Sequence, residues 1–242
     1  GDYLAAEEDV EWAKAGEGEP SSVLSIVRYL SSENGVKVFW NGVGTEFALG
    51  AVALALGFIL KANPTGAATQ APLIALLMGL VTCLPLVGGL LLVKRIQIAQ
   101  IREVEMLTWI FCHVVFRGRG RWCNALFCVA AGIGEELLFR GLLQQTLTST
   151  IGMWPAIGVT SVVFGLAHCL TPTYFFLAML ASIPLSLSFA ASGNVILIPM
   201  VAHALYDFIA IEITLKAKKP AGMEGIELPL ELQGDGTDGD GV

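Results

Sequence analysis

The sequence predicts an all-α protein: a polytopic membrane bundle of about six transmembrane helices around a polar intramembrane cavity. Three observations predict it. The chain is 55% apolar, with a mean hydropathy of +0.69. Only 14% of its 242 residues are charged, where a soluble domain carries about a quarter. The charges that do fall inside apolar runs gather in a few short stretches, as residues lining one cavity would.

The formal net charge of −7 arises mainly at the ends. Glu7, Glu8, Asp9, Glu11, Glu17 and Glu19 crowd the front, and Glu224, Glu227, Glu231, Asp235, Asp238 and Asp240 the back. No basic stripe with interleaved aromatics appears, which argues against a nucleic-acid partner. Cys83, Cys112, Cys123, Cys128 and Cys169 lie in apolar segments at spacings that match no zinc or disulfide framework, so they read as small buried hydrophobes. The sequence begins at Gly1 rather than Met, which fits a processed form whose targeting segment has been removed.

Three regions follow. Residues 1–45 are a polar N-terminal segment, in which Val23, Ile26, Val27 and Leu30 have the spacing of a short amphipathic helix over Ser21 to Ser32. Residues 46–215 form the transmembrane domain. Residues 216–242 are an acidic, Gly-rich tail whose composition predicts disorder.

A helical span needs about 20 apolar residues. The first runs from about Glu46 to Ile59 and is rich in Gly and Ala. The second runs from Pro72 to Val93, where Pro85 is expected to kink it. "KRIQIAQIREVEMLTWIFCHVVFRGRGR" begins as an amphipathic helix outside the hydrocarbon and dips in over Met106 to Phe116. The third span runs from Trp122 to Leu147, the fourth from Trp154 to Leu170, the fifth from Tyr174 to Ala190 and the sixth from Asn194 to Leu215. Short polar connections make the last spans antiparallel neighbours. Lys94, Arg95, Arg102, Arg117, Arg119, Arg121 and the Lys216–Lys219 cluster then share one side with both ends, and Lys61 lies opposite. The positive-inside rule puts that side in the cytosol, or in the stroma of a plastid.

The third span contains "AGIGEELLFRGLL", with Glu135, Glu136 and Arg140 deep inside it. A charge at a helix centre costs about 2.5–3.5 kcal/mol on insertion scales. Glu136 and Arg140 are four apart and share a face, so they can pair. Glu135 points about 100° away around an α-helix and needs another partner or a task. The fourth span brings His168 in "FGLAH", and the sixth brings His203 and Asp207 in "HALYD", one turn apart. The third of the chain's histidines, His113, reads as a packing residue near the interface.

Two His and a carboxylate make a three-ligand metal set with an open water position: Glu135, His168 and His203 for zinc. A buried glutamate can instead activate water directly, with histidines bonding a developing oxyanion. A proton or ion relay uses the same residue types. The residues alone leave these open, although the chain lacks the repeat symmetry of a transporter.

The motifs carry a resemblance. "EELLFR", "FGLAH" and "HALYD" resemble the EExxxR, FxxxH and HxxxN/D motifs of the CAAX-protease and bacteriocin-processing (CPBP/Abi) family of intramembrane proteases, type II CAAX prenyl endopeptidases among them. The motif-bearing core spans 120–215. The resemblance implies an endopeptidase that hydrolyses membrane-tethered or prenylated substrates. Glu135 would activate water, with His168 assisting or sharing a metal. His203 and Asp207 would bind the scissile carbonyl or complete the site, Asp207 by orienting His203. Glu136 and Arg140 would orient the first motif helix. Plastid relatives linked to chlorophyll metabolism imply a second reading: a non-proteolytic scaffold, assembly factor or subunit of a larger thylakoid complex, whose histidines can ligate chlorophyll. Its 27 glycines would permit close helix or pigment packing. Either reading makes the protein multi-pass, in contact with membrane lipids, in a plastid or endoplasmic reticulum membrane.

Overall fold

Every regular element found is a helix, in a computed structural model that describes residues 35–67, 71–96, 98–221 and 223. The surface helix expected over Ser21 to Ser32 and the acidic tail beyond Met223 lie outside the described residues.

Helix α1, Gly35–Leu60, starts well before the expected boundary at Glu46. Phe39 and Val43 explain the extension. Both are buried in an apolar cluster with Ile110, Val115, Phe116 and Cys128, so burial continues the helix through the segment read as polar. Glu46 is therefore a mid-helix residue. Helix α2, Pro72–Val93, follows the expected bounds, with Pro72 at its start, where the missing N–H costs nothing. Helix α3, Ala99–Val115, packs against α1 and the last two helices. Its His113 stacks on Trp109 with ring centroids 3.9 Å apart and bonds the Trp109 carbonyl at 2.8 Å. That is the packing role its setting suggested.

The next rod is continuous from Arg121 to Ile151 but not uniform. It is α-helical as α4, Arg121–Glu136, becomes a π-helix over Leu137–Gln144, and returns to α-helix as α5, Gln145–Ile151. The wider turn, a rare form concentrated at functional sites, begins immediately after the paired glutamates. Helix α6, Met153–Ala167, ends three residues short of its expected limit. His168 therefore caps that helix and does not lie inside it. Helices α7, Pro172–Ala191, and α8, Leu197–Lys216, complete the bundle. Thr171 caps α7 by accepting a bond from the Tyr174 N–H at 3.1 Å.

Helices α1, α2, α7 and α8 are each long and apolar enough to cross a bilayer, and α6 is a shorter apolar helix. Their outward faces carry exposed apolar side chains such as Phe58, Leu73, Val81 and Leu180. A soluble protein rarely exposes so much apolar surface in contiguous patches. The chain is an integral membrane protein.

Lipid supplies no hydrophobic force between helices, so close approach of small residues must do that work. Helix α8 packs against α2 and α4, α1 against α4 and the π-segment, and α6 against α7. At Gly132 an added Cβ would meet the Met200 carbonyl of α8 at 2.8 Å, and at Gly134 it would collide with the Glu46 carbonyl of α1. The α1–α2 loop closes on the same framework. Ala67 N–H bonds the Asn194 carbonyl at 2.8 Å in the α7–α8 turn, and the Pro64 carbonyl lies against Gly141.

Gly134→Ala is expected to lower the melting temperature in detergent, by about 1–3 kcal/mol of overpacking, because its obstruction is backbone. Gly88→Ala, inside α2 with open space around it, is expected to hold or raise it, by about 0.5–1 kcal/mol of helix propensity. Differential scanning fluorimetry of the two variants checks both.

Candidate functional site

Four charged or titratable side chains from α4, the π-segment and α8 meet where those elements cross. Arg140 and Glu136 are both 0% exposed. The Arg140 guanidinium donates to Glu136 Oε1 at 2.7 Å. Its other amino group donates to Ser182 Oγ at 2.7 Å and to the Ser182 carbonyl at 3.2 Å. The same cation lies over the Phe164 ring, 4.7 Å from its centroid. One buried arginine thus fastens its own rod to α7 through Ser182 and to α6 through Phe164. One turn on, Gln144 Nε2 repeats the first link by donating to the Ser186 carbonyl at 3.0 Å.

Glu136 has a second duty. His203 Nδ1 lies 2.7 Å from Glu136 Oε1, the oxygen that Arg140 also bonds. A carboxylate so engaged is an acceptor, so Nδ1 carries a hydrogen and Nε2 is turned the other way. Glu136 therefore makes the short bond that orients His203. Asp207, expected to do so, stands at 3.4 Å from Nε2, the opposite ring atom. His168 is oriented by the same logic with a different acceptor. Its Nδ1 lies 2.8 Å from the Phe164 carbonyl, which can only accept. Its ring stacks on Phe164 at 4.4 Å between centroids, and Phe164 meets His203 edge-on at 6.0 Å.

Both remaining ring nitrogens face Glu135. His168 Nε2 is 3.6 Å from Glu135 Oε2, and His203 Nε2 is 3.9 Å from the same oxygen. That oxygen is buried without a hydrogen-bond partner. The glutamate that α-helical geometry left without a partner is thus the point on which both histidines converge. Two neutral imidazoles would aim lone pairs at a carboxylate oxygen, which is repulsive. The arrangement calls for protons on Nε2, for water between the groups, or for a cation.

All six expected residues, Glu135, Glu136, Arg140, His168, His203 and Asp207, are in this cluster or on its edge. The donor chemistry suits a metal: two imidazole Nε2 atoms and one carboxylate, each histidine fixed at Nδ1 by an outer acceptor. The spacing is looser than around a tetrahedral zinc, whose ligand atoms stand about 3.3 Å apart. Among the described residues no three His, Cys, Asp or Glu side chains are drawn in to ligand distance, so a metal would require these atoms to close in from where they stand.

Sequence reasoning passed over three residues. Phe164 was only the first letter of a motif, yet its ring touches Arg140, His168 and His203. Ser182 is a small polar residue in an apolar span, the only signal it offers. Glu46 on α1 was taken for a boundary, although a charge inside an apolar run is the signal that found Glu135.

Residues 117–209 match the family model described as Type II CAAX prenyl endopeptidase Rce1-like. The chain carries an Rce1-like domain over that stretch, consistent with the CAAX-protease and bacteriocin-processing family. No curated protein matches the chain, and no solved structure matches it.

Arg140→Ala leaves Glu136 buried without its cation and is expected to cost about 3–5 kcal/mol. The apolar pair Glu136→Leu with Arg140→Met is expected to recover most of that loss, while losing the His203 orientation and with it any activity. Melting temperatures of the three proteins check the first two statements, and an activity assay on the double variant the third.

Proposed function

We propose that this Rce1-like membrane protein is an intramembrane endopeptidase acting on membrane-tethered substrates, with prenylated CAAX-type peptides the class to try first. The observation that carries the reading is the convergence of His168 Nε2 and His203 Nε2 on Glu135 Oε2. A water held among these atoms would have a base on one side and two orienting imidazoles on the other. In the direct mechanism Glu135 takes a proton from that water as its oxygen attacks the scissile carbonyl. The imidazoles, protonated at Nε2, donate to the oxyanion. The proton on Glu135 then passes to the leaving amine as the C–N bond breaks, which restores the carboxylate. Glu136 and Arg140 touch no reacting atom in this scheme. They hold His203 by Nδ1–H, with Nε2 turned toward Glu135; the Nε2 proton that the scheme uses makes that ring an imidazolium.

A divalent metal such as zinc would be held by Glu135, His168 and His203, and would supply an acidified water. Asp207 would then stand beside His203 Nε2 at the edge of the set. The distribution of Lys and Arg supports ends that face the cytosol, or the stroma if the membrane is a thylakoid.

The test is cleavage of a panel of farnesylated CAAX peptides by the full chain in detergent or nanodiscs. Wild type is expected to cleave at least one, and Glu135→Gln to lose on the order of 10²–10⁴ in rate at unchanged melting temperature. A chelator arm separates the two mechanisms: loss with chelator and recovery with zinc favour the metal. Equal rates for wild type and Glu135→Gln, or no cleavage while partner subunits copurify in fixed ratio, would overturn the protease reading in favour of a scaffold.

A further inference from the structure

Helix α1 lies outside the stretch that matches the family model, yet it brings a carboxylate to the same place. Glu46 stands at the middle of a membrane-crossing helix. Its backbone rests directly on Gly134, the residue before Glu135, because Gly134 has no side chain to hold it off. That contact sets Glu46 beside the residue that precedes Glu135 in α4. Glu46 Oε2 is buried, with no hydrogen-bond partner. No ion pair forms at Glu46 among the described residues.

A charge in a membrane helix normally pairs within the bundle. No ion pair joins Arg140 to Glu46 among the described residues: its two amino groups are held by Glu136 and Ser182, and its Nε is buried without a partner. Three carboxylates, Glu46, Glu135 and Asp207, therefore share one polar region with two imidazoles. Two of them, Glu135 and Glu46, present a buried oxygen without a hydrogen-bond partner. Ionising all three would leave one negative charge uncompensated even with both imidazoles protonated, and a cationic donor arriving from outside the chain would complement it.

We infer that Glu46 is a specificity-determining residue that receives a positively charged substrate side chain next to the scissile bond. The inference rests on the endopeptidase reading for the word scissile, but not for the binding itself. It selects peptides with Lys or Arg beside the cleaved bond and disfavours those with Asp or Glu there, by direct attraction and like-charge repulsion in a desolvated site.

The experiment uses farnesylated peptides identical except for Lys, Gln or Glu at each residue near the scissile bond other than the farnesylated cysteine itself. Each is made both as the amide and as a ketomethylene analogue that cannot be cleaved. Binding of the analogues is measured by fluorescence anisotropy and cleavage of the amides by kcat/KM, for wild type, Glu46→Gln and Glu46→Lys of the full chain. At one flanking position wild type is expected to prefer Lys over Glu by about tenfold or more, Glu46→Gln to shrink that ratio to about threefold or less, and Glu46→Lys to invert it. A ratio in Glu46→Gln equal to that of wild type, at whatever melting temperature, overturns the inference, because a purely structural Glu46 would move stability and leave the ratio alone. Equal binding of Lys and Glu analogues by wild type overturns it too. Cleavage without charge preference sinks the inference and keeps the protease. Glu46-dependent preference for Lys in binding without any cleavage sinks the protease and keeps the inference.

Discussion

The ion pair between Glu136 and Arg140 is the interaction on which the rest of this structure depends. It is fully buried in a membrane bundle, where two isolated charges would be prohibitively costly. Its worth lies in what it connects. Arg140 reaches Ser182 on one neighbouring helix and the face of Phe164 on another, while Glu136 reaches His203 on a third. A hydrophobic pair could fill the same volume, but it could not fix the direction of an imidazole. Buried pairs are weak sources of stability and good sources of geometry, and here the geometry is a histidine turned toward Glu135.

The backbone cooperates with that pair. In an α-helix, adjacent glutamates diverge by about 100°, which suits two different tasks: one for the scaffold, one for the open cluster. The π-helix beginning at Leu137 changes the stagger of everything after them, Arg140 included. On the other side, Gly132 and Gly134 let α8 and α1 come close enough for His203 and Glu46 to reach the same region. Position 134 therefore works twice, as a helix contact and as the gap through which α1 approaches the cluster.

Most of the cluster was legible because charge inside an apolar run is expensive and therefore rare. Glu135, Glu136, Arg140, His203 and Asp207 stood out on that ground, and His168 stood out because the chain has three histidines. The partnership inside the cluster was less legible. Nothing in "EELLFRGLL" announces a π-helix, and without it the relative directions of the side chains cannot be worked out from an α-helical wheel. Asp207 looked like the residue to orient His203 because the resemblance implies that role and a spacing of four puts the two on one face. The bond to Glu136 spans sixty-seven positions, and no local pattern encodes it. Glu46 was hidden for a simpler reason: a charge at the front of an apolar stretch reads as its end, until buried Phe39 and Val43 show that the helix had already begun. His168 was placed inside a helix because "VVFGLAHCL" is apolar throughout, whereas the helix ends at Ala167 and leaves the ring free to stack on Phe164.

The central claim is that outer acceptors hold His168 and His203 with Nδ1 protonated, so that both Nε2 atoms are presented to Glu135. Nitrogen NMR of protein labelled in the histidine rings tests it most directly, since there are three rings to resolve and His113 also bonds a carbonyl through Nδ1. The account predicts Nδ1–H on every ring, as the neutral tautomer or the imidazolium, with the His203 resonance alone displaced in Glu136→Gln. A bare Nδ1 on His168 or His203 in the wild-type protein would contradict it.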